Sequence, residues 1–525
     1  MSPELQHHGL SRRGLLRASA LAGATAAGLG ASPAMAGPRP PAATAGAART
    51  GFPTAEFGGP GGPALGAAYR AAVTNLTETN TVPYDPGTYD RTGLLSDPPG
   101  TFVRAGGGYE QPWTRDASVN SWNAASLLMP AEARNTLWAV CERRADGGLV
   151  VQQDDQWWDQ AVWAVAAWDH YALTADRDFL RLAYEAAANT LDADRAAHFN
   201  DRYGLYEGPA FMQDGIAGYP SPPYDPDNGS SFVLDHPGSD RMMSLSTNCV
   251  VYGAQLAAAR MAGALGRHAE AAGWLARAAR LRTAVGRHLW RPEAGTYGYF
   301  VHGTGERAGR LEHYQEGNGL AFAVLFGIAS GRRARSVLDT THHEPHGVVN
   351  VWPHFARFDD AHPGRHNAVV WPMTVGMWGH AAAVGGRTDL LGRALEDLAE
   401  LAGRDGHFWE IYHARTGEED GGWQTGTHWP SQPDQTWSAT GYLRLVHRGL
   451  FGLTPRPDGL AFTPRLPRGW GTVRLTGLRW RDATLDITLA RGGHGHSATM
   501  ALDGHRVGRV PSGLRGHHQV DLRVP

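Results

Sequence analysis

The chain is 525 residues long, more than one ordinary hydrophobic core absorbs, so a large domain and a smaller one are expected. A formal net charge of -3 gives no electrostatic reason to bind nucleic acid or an anionic membrane. Two cysteines, Cys141 and Cys249, in apolar helix-like stretches read as buried thiols, which excludes a disulfide scaffold.

Residues 1–36 read as an export signal. Ser11-Arg12-Arg13-Gly14-Leu15-Leu16-Arg17 resembles a twin-arginine motif, an Ala/Leu/Gly-rich segment follows, and Ala34-Met35-Ala36 offers a cleavage site. The segment 18–36 is too weakly apolar for a stable transmembrane anchor. Residues 37–60, dominated by Pro, Ala and Gly, read as a flexible linker.

From residue 61 to 452, helical patterns alternate with Gly/Pro-rich loops of unequal length. They begin near Leu65, Arg115, Ala131, Trp158, Asp176, Arg241, His268, Gly317, Arg332, Val370, Thr388 and Asp434, or about six antiparallel hairpins. Ala161–Trp168 and Leu320–Ile328 are apolar on all sides, whereas His268–Leu289 is amphipathic. Fully apolar helices are buried all round, so the alternation predicts an inner and an outer ring. Over residues 453–525 the texture changes. Thr472–Thr476 and Ala483–Leu489 alternate apolar and polar beside Gly-rich turns, which predicts a small antiparallel β domain.

The 18 tryptophans cluster with polar groups around Trp113–Asp116, Trp157–Asp159, Trp371–Pro372, His407–Tyr412 and His428–Trp437. Indole faces stack on the C–H faces of sugars while neighbouring acids and amides read hydroxyls; core filling is the competing role for any one of them. The 25 histidines include no His-Glu-x-x-His run, and no Cys/His spacing suggests zinc, so neither a catalytic metal nor a cofactor is expected. There is no Gly-x-Ser-x-Gly elbow either.

At Trp113-Thr-Arg115-Asp116, Phe408-Trp-Glu410-Ile-Tyr412-His-Ala-Arg-Thr-Gly417 and Trp437-Ser438-Ala439 the chain resembles the (α/α)6-barrel, or six-hairpin, glycosidases. Within them it resembles mannosylglycerate hydrolases and processing α-glucosidases and, more distantly, trehalases and glucoamylases. The resemblance implies an all-α toroid with an accessory β domain, a carbohydrate substrate, and hydrolysis of an α-linked sugar, exo-acting and with inversion. It implies a general acid in the long loop after the fifth helix and a general base in the Trp-Glu-x-Tyr segment before the last one. Carried over, Asp214 in Gly208–Tyr219 becomes the acid and Glu410 the base. The acid loop departs from the Trp-Glu-Ser-Gly-x-Asp pattern of the processing glucosidases, keeping only its small residues and the aspartate.

Inverting hydrolysis needs a protonated carboxyl at the glycosidic oxygen and a carboxylate activating water on the opposite face, roughly 6.5–9.5 Å away. Asp214 competes with a role as a turn aspartate before Gly215, and Asp155 or Asp159 stands in reserve as the acid. Glu410, between Trp409 and Tyr412, is costly to bury without a task. Arg115 and Asp116 suit adjacent sugar hydroxyls, or alternatively pair at a helix start. Gln152, Asp155, Trp158 and Asp159 form a stretch dense in sugar-binding side chains, with helix capping as the other use of its acids. Trp113, Tyr219, Glu316, Asn318, His366, Asn367, Trp371, Tyr412, His428, Trp429 and Trp437 complete the expected substrate surface. Two other readings remain: a polysaccharide lyase on the same toroid, and a glycan-binding protein without catalysis.

Overall fold

The computed structural model describes residues 51–152, 156–492 and 498–525. The expected signal segment, most of the expected linker, and Asp155 lie outside the described residues.

Among the described residues twelve long helices alternate in chain order between two rings. The outer ring is α1 (Gly62–Thr74), α3 (Pro130–Ala139), α5 (Arg177–His198), α7 (His268–His288), α9 (Arg332–Thr340) and α11 (Thr388–Asp405). The inner ring is α2 (Thr114–Asn120, continuing to Leu128), α4 (Val162–Thr174), α6 (Leu245–Ala264), α8 (Gly317–Leu325), α10 (Pro372–Val384) and α12 (Thr436–Arg444, continuing to Leu450). Each inner helix packs on the next, and α12 closes back on α2. The expected (α/α)6 toroid is therefore the fold.

Burial follows the chemistry of each ring. Helix α11 buries only one stripe, Leu391, Leu395, Leu398 and Ala402, at the i, i+4, i+7 spacing of an amphipathic helix. Helix α4 buries nearly every residue from Val162 to Leu173 because it is enclosed by both rings. Each fully buried Leu, Val or Phe contributes about 1.5–3 kcal/mol of apolar transfer, so the all-apolar helices hold the ring closed. Inner-to-outer links are short (175–176, 265–267 and 385–387), whereas outer-to-inner links are long (75–113, 199–244, 341–371 and 406–435). All the long loops therefore gather at one face.

After α12 come β2 (Leu453–Arg456), β3 (Gly459–Phe462), β4 (Val473–Trp480), β5 (Ala483–Arg491), β6 (Thr499–Leu502), β7 (His505–Arg506), β8 (Val510–Pro511) and β9 (Gly516–Val524). Two features differ from expectation. Thr54–Phe57, expected within the linker, form strand β1 and pair antiparallel with β4, so the sheet runs β1-β4-β5-β9-β6-β7. The alternation of Ala55 and Phe57 inward explains it, since both enter the shared core. The pairing of β5 with β9 is parallel within an otherwise antiparallel sheet.

The β region sits against the end of the barrel opposite the long loops. Arg481 donates to the carbonyls of Ala172 and Leu173 at the end of α4, and Arg465 donates to Ala383 at the end of α10. Helix C-termini carry unpaired carbonyls and partial negative charge, so guanidinium groups satisfy both.

Candidate active site

All six inner helices begin at the loop-rich face, and their first turns touch around the ring. Arg115 of α2 reaches Asp159, just before α4; Glu316, just before α8, accepts from the Ser246 N–H of α6. Thr374 of α10 and Asn318 of α8 both donate to the Asn350 side-chain Oδ1, while Trp371 meets Trp437 edge-on at 5.7 Å. The Arg115 guanidinium lies 5.2 Å from the Trp437 ring and closes the circle. Helix N-termini present N–H groups and partial positive charge, which favours carboxylates at this mouth.

Arg115, 3% exposed, is the hub. Its Nη1 is 2.6 Å from Asp159 Oδ2, its Nη2 3.7 Å from Asp214 Oδ2, and its Nε 3.9 Å from Asp116 Oδ2. Burial disfavours its charge, but the carboxylates of Asp159, Asp214 and Asp116 outweigh that and push its pKa up. The other oxygen of Asp159 accepts the Met212 N–H at 2.8 Å, so Asp159 ties the 210–219 loop to Arg115. That double engagement makes Asp159 a clamp and leaves Asp214 as the more accessible carboxylate, 16% exposed against 4%. Asp214 Oδ1 lies 3.7 Å from His366 Nε2, and that imidazole stacks on Trp371.

On the other side Arg365, unremarked in the sequence, donates from Nη2 to Glu410 Oε2 at 2.8 Å. Burial opposes the Arg365 charge, but Glu410 and, more distantly, Asp214 keep it raised. Adjacent residues Arg365 and His366 thus reach one candidate carboxylate each. The backbone is held in postures that L-residues avoid at Trp113 (φ 39), Met212 (φ 62), Ala368 (φ 60) and Asp434 (φ 50), each within a few residues of this cluster. Such strain costs of order 1–3 kcal/mol per residue and persists only where the surroundings enforce it.

Trp113, Arg115, Gln152 and Asp159 line one cleft together with Thr114, Gln156 and Gln160, the last two also missed in the sequence. Trp429 is half-buried 5.7 Å from Arg365, and His428 is exposed on the rim and paired with Asp420. Other expected ligands are directed elsewhere. The Tyr219 hydroxyl accepts from Ala210 N and donates to Gln213 O; Asn367 bridges Phe355 N to Val351 O and Pro353 O; the Tyr412 hydroxyl accepts from Trp409 N. These three brace loops. Trp158 is in a core cluster with Tyr219 and Phe300, and Glu316 and Asn318 are fully buried. Among the described residues no group of three His, Cys, Asp or Glu side chains is placed to hold a metal ion, and both cysteines are buried free thiols.

A double ring of helices with carboxylates gathered at the inner N-termini is the architecture of the (α/α)6 glycoside hydrolases, and the family match assigns the chain to them. Residues 113–438 match the mannosylglycerate hydrolase MGH1-like glycoside hydrolase domain, and the chain belongs to that family. Residues 453–497 match the C-terminal domain of glycosyl hydrolase family 65. Among solved structures it is similar to the GH63 mannosylglycerate hydrolase of Thermus thermophilus, with 17% identity over 72% of this chain and 99% of that one, at a TM-score of 0.51. It is also similar to a chain titled sialidase (16% identity, 84% and 38% of the two chains, TM-score 0.61). A GH78 rhamnosidase of Bacillus sp. GL1 is a third (17% identity, 90% and 44%, TM-score 0.51). The chain spans less than half the length of these last two. No match was found among curated proteins.

Proposed function

We propose that the protein is an exported, inverting glycosidase that removes a terminal α-linked sugar, with Asp214 as general acid and Glu410 as general base. The observation that carries this is the Arg365-His366 pair: His366 reaches Asp214 and Arg365 holds Glu410, so the two carboxylates flank one segment at one mouth. Asp214, the more exposed of the two, is available to a glycosidic oxygen; Glu410, oriented by Arg365, is available to a water across the sugar. Arg115, packed on the buried Trp437 ring, holds the carboxylates of Asp159 and Asp214. The β region sits against the far end of the barrel, so the loop-rich face carries the mouth; chain-end cleavage rests on the family resemblance. Export rests on Arg12-Arg13 and Ala34-Met35-Ala36.

The purified protein, offered α-glucosides, α-mannosides and α-rhamnosides, is expected to hydrolyse one class. Glu410→Gln and Asp214→Asn should each lower turnover by about 10²–10⁴ with binding little changed. Near-normal turnover by either variant overturns that residue's assignment.

A further inference from the structure

The loop bearing Asp214 is fixed at two points. On one side Met212, with its positive φ, donates to Asp159. On the other is Gln213, a fully buried amide directly preceding the carboxylate. Burying an amide costs about 1–3 kcal/mol unless it is bonded, and a methionine would fill the same volume without that cost. Gln213 is instead surrounded by polar groups. Its Oε1 accepts from the Tyr299 hydroxyl at 3.0 Å, and that hydroxyl also lies 2.9 Å from Gly218 O. Its backbone carbonyl accepts from the Tyr219 hydroxyl at 2.7 Å, and its amide faces the Glu316 carboxyl. The two tyrosine rings stack at 5.7 Å and 11°, a rigid floor under the loop.

Gly218 shows how tightly this is built. A Cβ there would stand 2.5 Å from Gln213 Oε1 and 3.1 Å from the His366 Cβ, so only glycine lets the amide and the imidazole approach from either side. Glu316 lies beside the amide without adding charge. Burial pushes its pKa up to about 8, so near neutral pH it does not set a second negative charge behind Asp214.

We infer that Gln213 is the positioning residue for Asp214: Tyr299 fixes its amide oxygen and Tyr219 its carbonyl, and this fixes the Asp214 carboxyl between Arg115 and His366. The inference rests on the reading of Asp214 as the general acid. A general acid matters most when the leaving group is poor, and a displaced acid loses rate only where protonation is needed.

The test uses Gln213→Met and Tyr299→Phe in the full chain. The probes are the methyl glycoside and the glycosyl fluoride of whichever of glucose, mannose or rhamnose the protein cleaves. Both variants should lose about 10- to 100-fold in kcat on the methyl glycoside, with KM within about threefold, and less than about threefold on the fluoride. Retained turnover of the fluoride reports that the barrel is intact. Equal losses on both substrates, or less than about threefold loss on the methyl glycoside, overturns the positioning role. Asp214→Asn run in parallel separates the two claims. If it shows the leaving-group split and Gln213→Met does not, the positioning role alone fails. If Asp214→Asn shows no split, the acid assignment fails and takes the positioning role with it.

Discussion

Replacing Arg115 by methionine removes the hub of the mouth while keeping its volume. Its guanidinium is 2.6 Å from Asp159, 3.7 Å from Asp214 and 3.9 Å from Asp116. At an effective dielectric of about 20, those pairs are worth about 6, 4 and 4 kcal/mol of gross attraction, most of it offset by the desolvation of four charges. What remains measurable is the cost of leaving Asp159 buried without its guanidinium partner, which for a broken buried pair is about 3–5 kcal/mol. With an unfolding entropy of about 2.1 cal/mol/K per residue over roughly 450 folded residues, that becomes a fall in Tm of about 3–5 °C at pH 7. The deficit should shrink near pH 4, where a stranded aspartate takes up a proton. It should also shrink at pH 7 in the double variant Arg115→Met/Asp159→Asn, which removes the charge nearest the lost guanidinium. Thermal melts of the three proteins at both pH values are the assay. A Tm deficit independent of pH and unrelieved by Asp159→Asn would refute the reasoning.

Glu316 makes a pH-dependent contribution of opposite sign. Folding raises its pKa from the ordinary 4.5 to about 8, so its stabilising contribution is complete below 4.5 and is lost as pH rises to 8, at about 1.4 kcal/mol per pH unit. The Tm of Glu316→Gln relative to the parent should therefore climb between pH 5 and 8, and parallel curves would contradict this. Gly215→Ala would put a Cβ 2.3 Å from Gln424 Nε2 and 2.9 Å from His366 Nε2, so activity should fall at least about 10-fold as His366 is pushed from Asp214. An alanine variant of full activity would show that His366 does not need that approach. In an exporting bacterial host, mature protein should begin at Gly37 outside the membrane, and Arg12→Lys with Arg13→Lys should trap the precursor; unaltered secretion of the double variant tells against the twin-arginine route.

The toroid was legible because ring position is written into helix composition. A stretch such as Ala161–Trp168 has no polar face to show water, while α7 has one on every turn, so inner and outer helices separate before any contact is known. The mouth was partly legible for a similar reason: acids, amides and tryptophans collect where inner helices begin. The direction of a side chain is a different matter. Tyr219, Asn367 and Tyr412 have the chemistry of sugar ligands, yet their polar atoms are spent on backbone groups of their own loops. Arg365 was missed because nothing beside it in sequence is acidic; its partner Glu410 arrives from another loop. Gln213 was hidden likewise, since its meaning comes from Tyr299 across the floor of the site. Strand β1 escaped because four residues in a Pro/Gly-rich run carry almost no pattern, and the partner strand β4 lies at the other end of the chain.

The central claim is a single displacement in which Glu410 activates water on one face of the sugar while Asp214 protonates the leaving oxygen on the other. Proton NMR of the first product, recorded before mutarotation, tests it most directly. The expected product is the anomer of configuration opposite to the substrate. A product of retained configuration would contradict it, because retention requires a covalent glycosyl-enzyme and two carboxyls only about 5 Å apart.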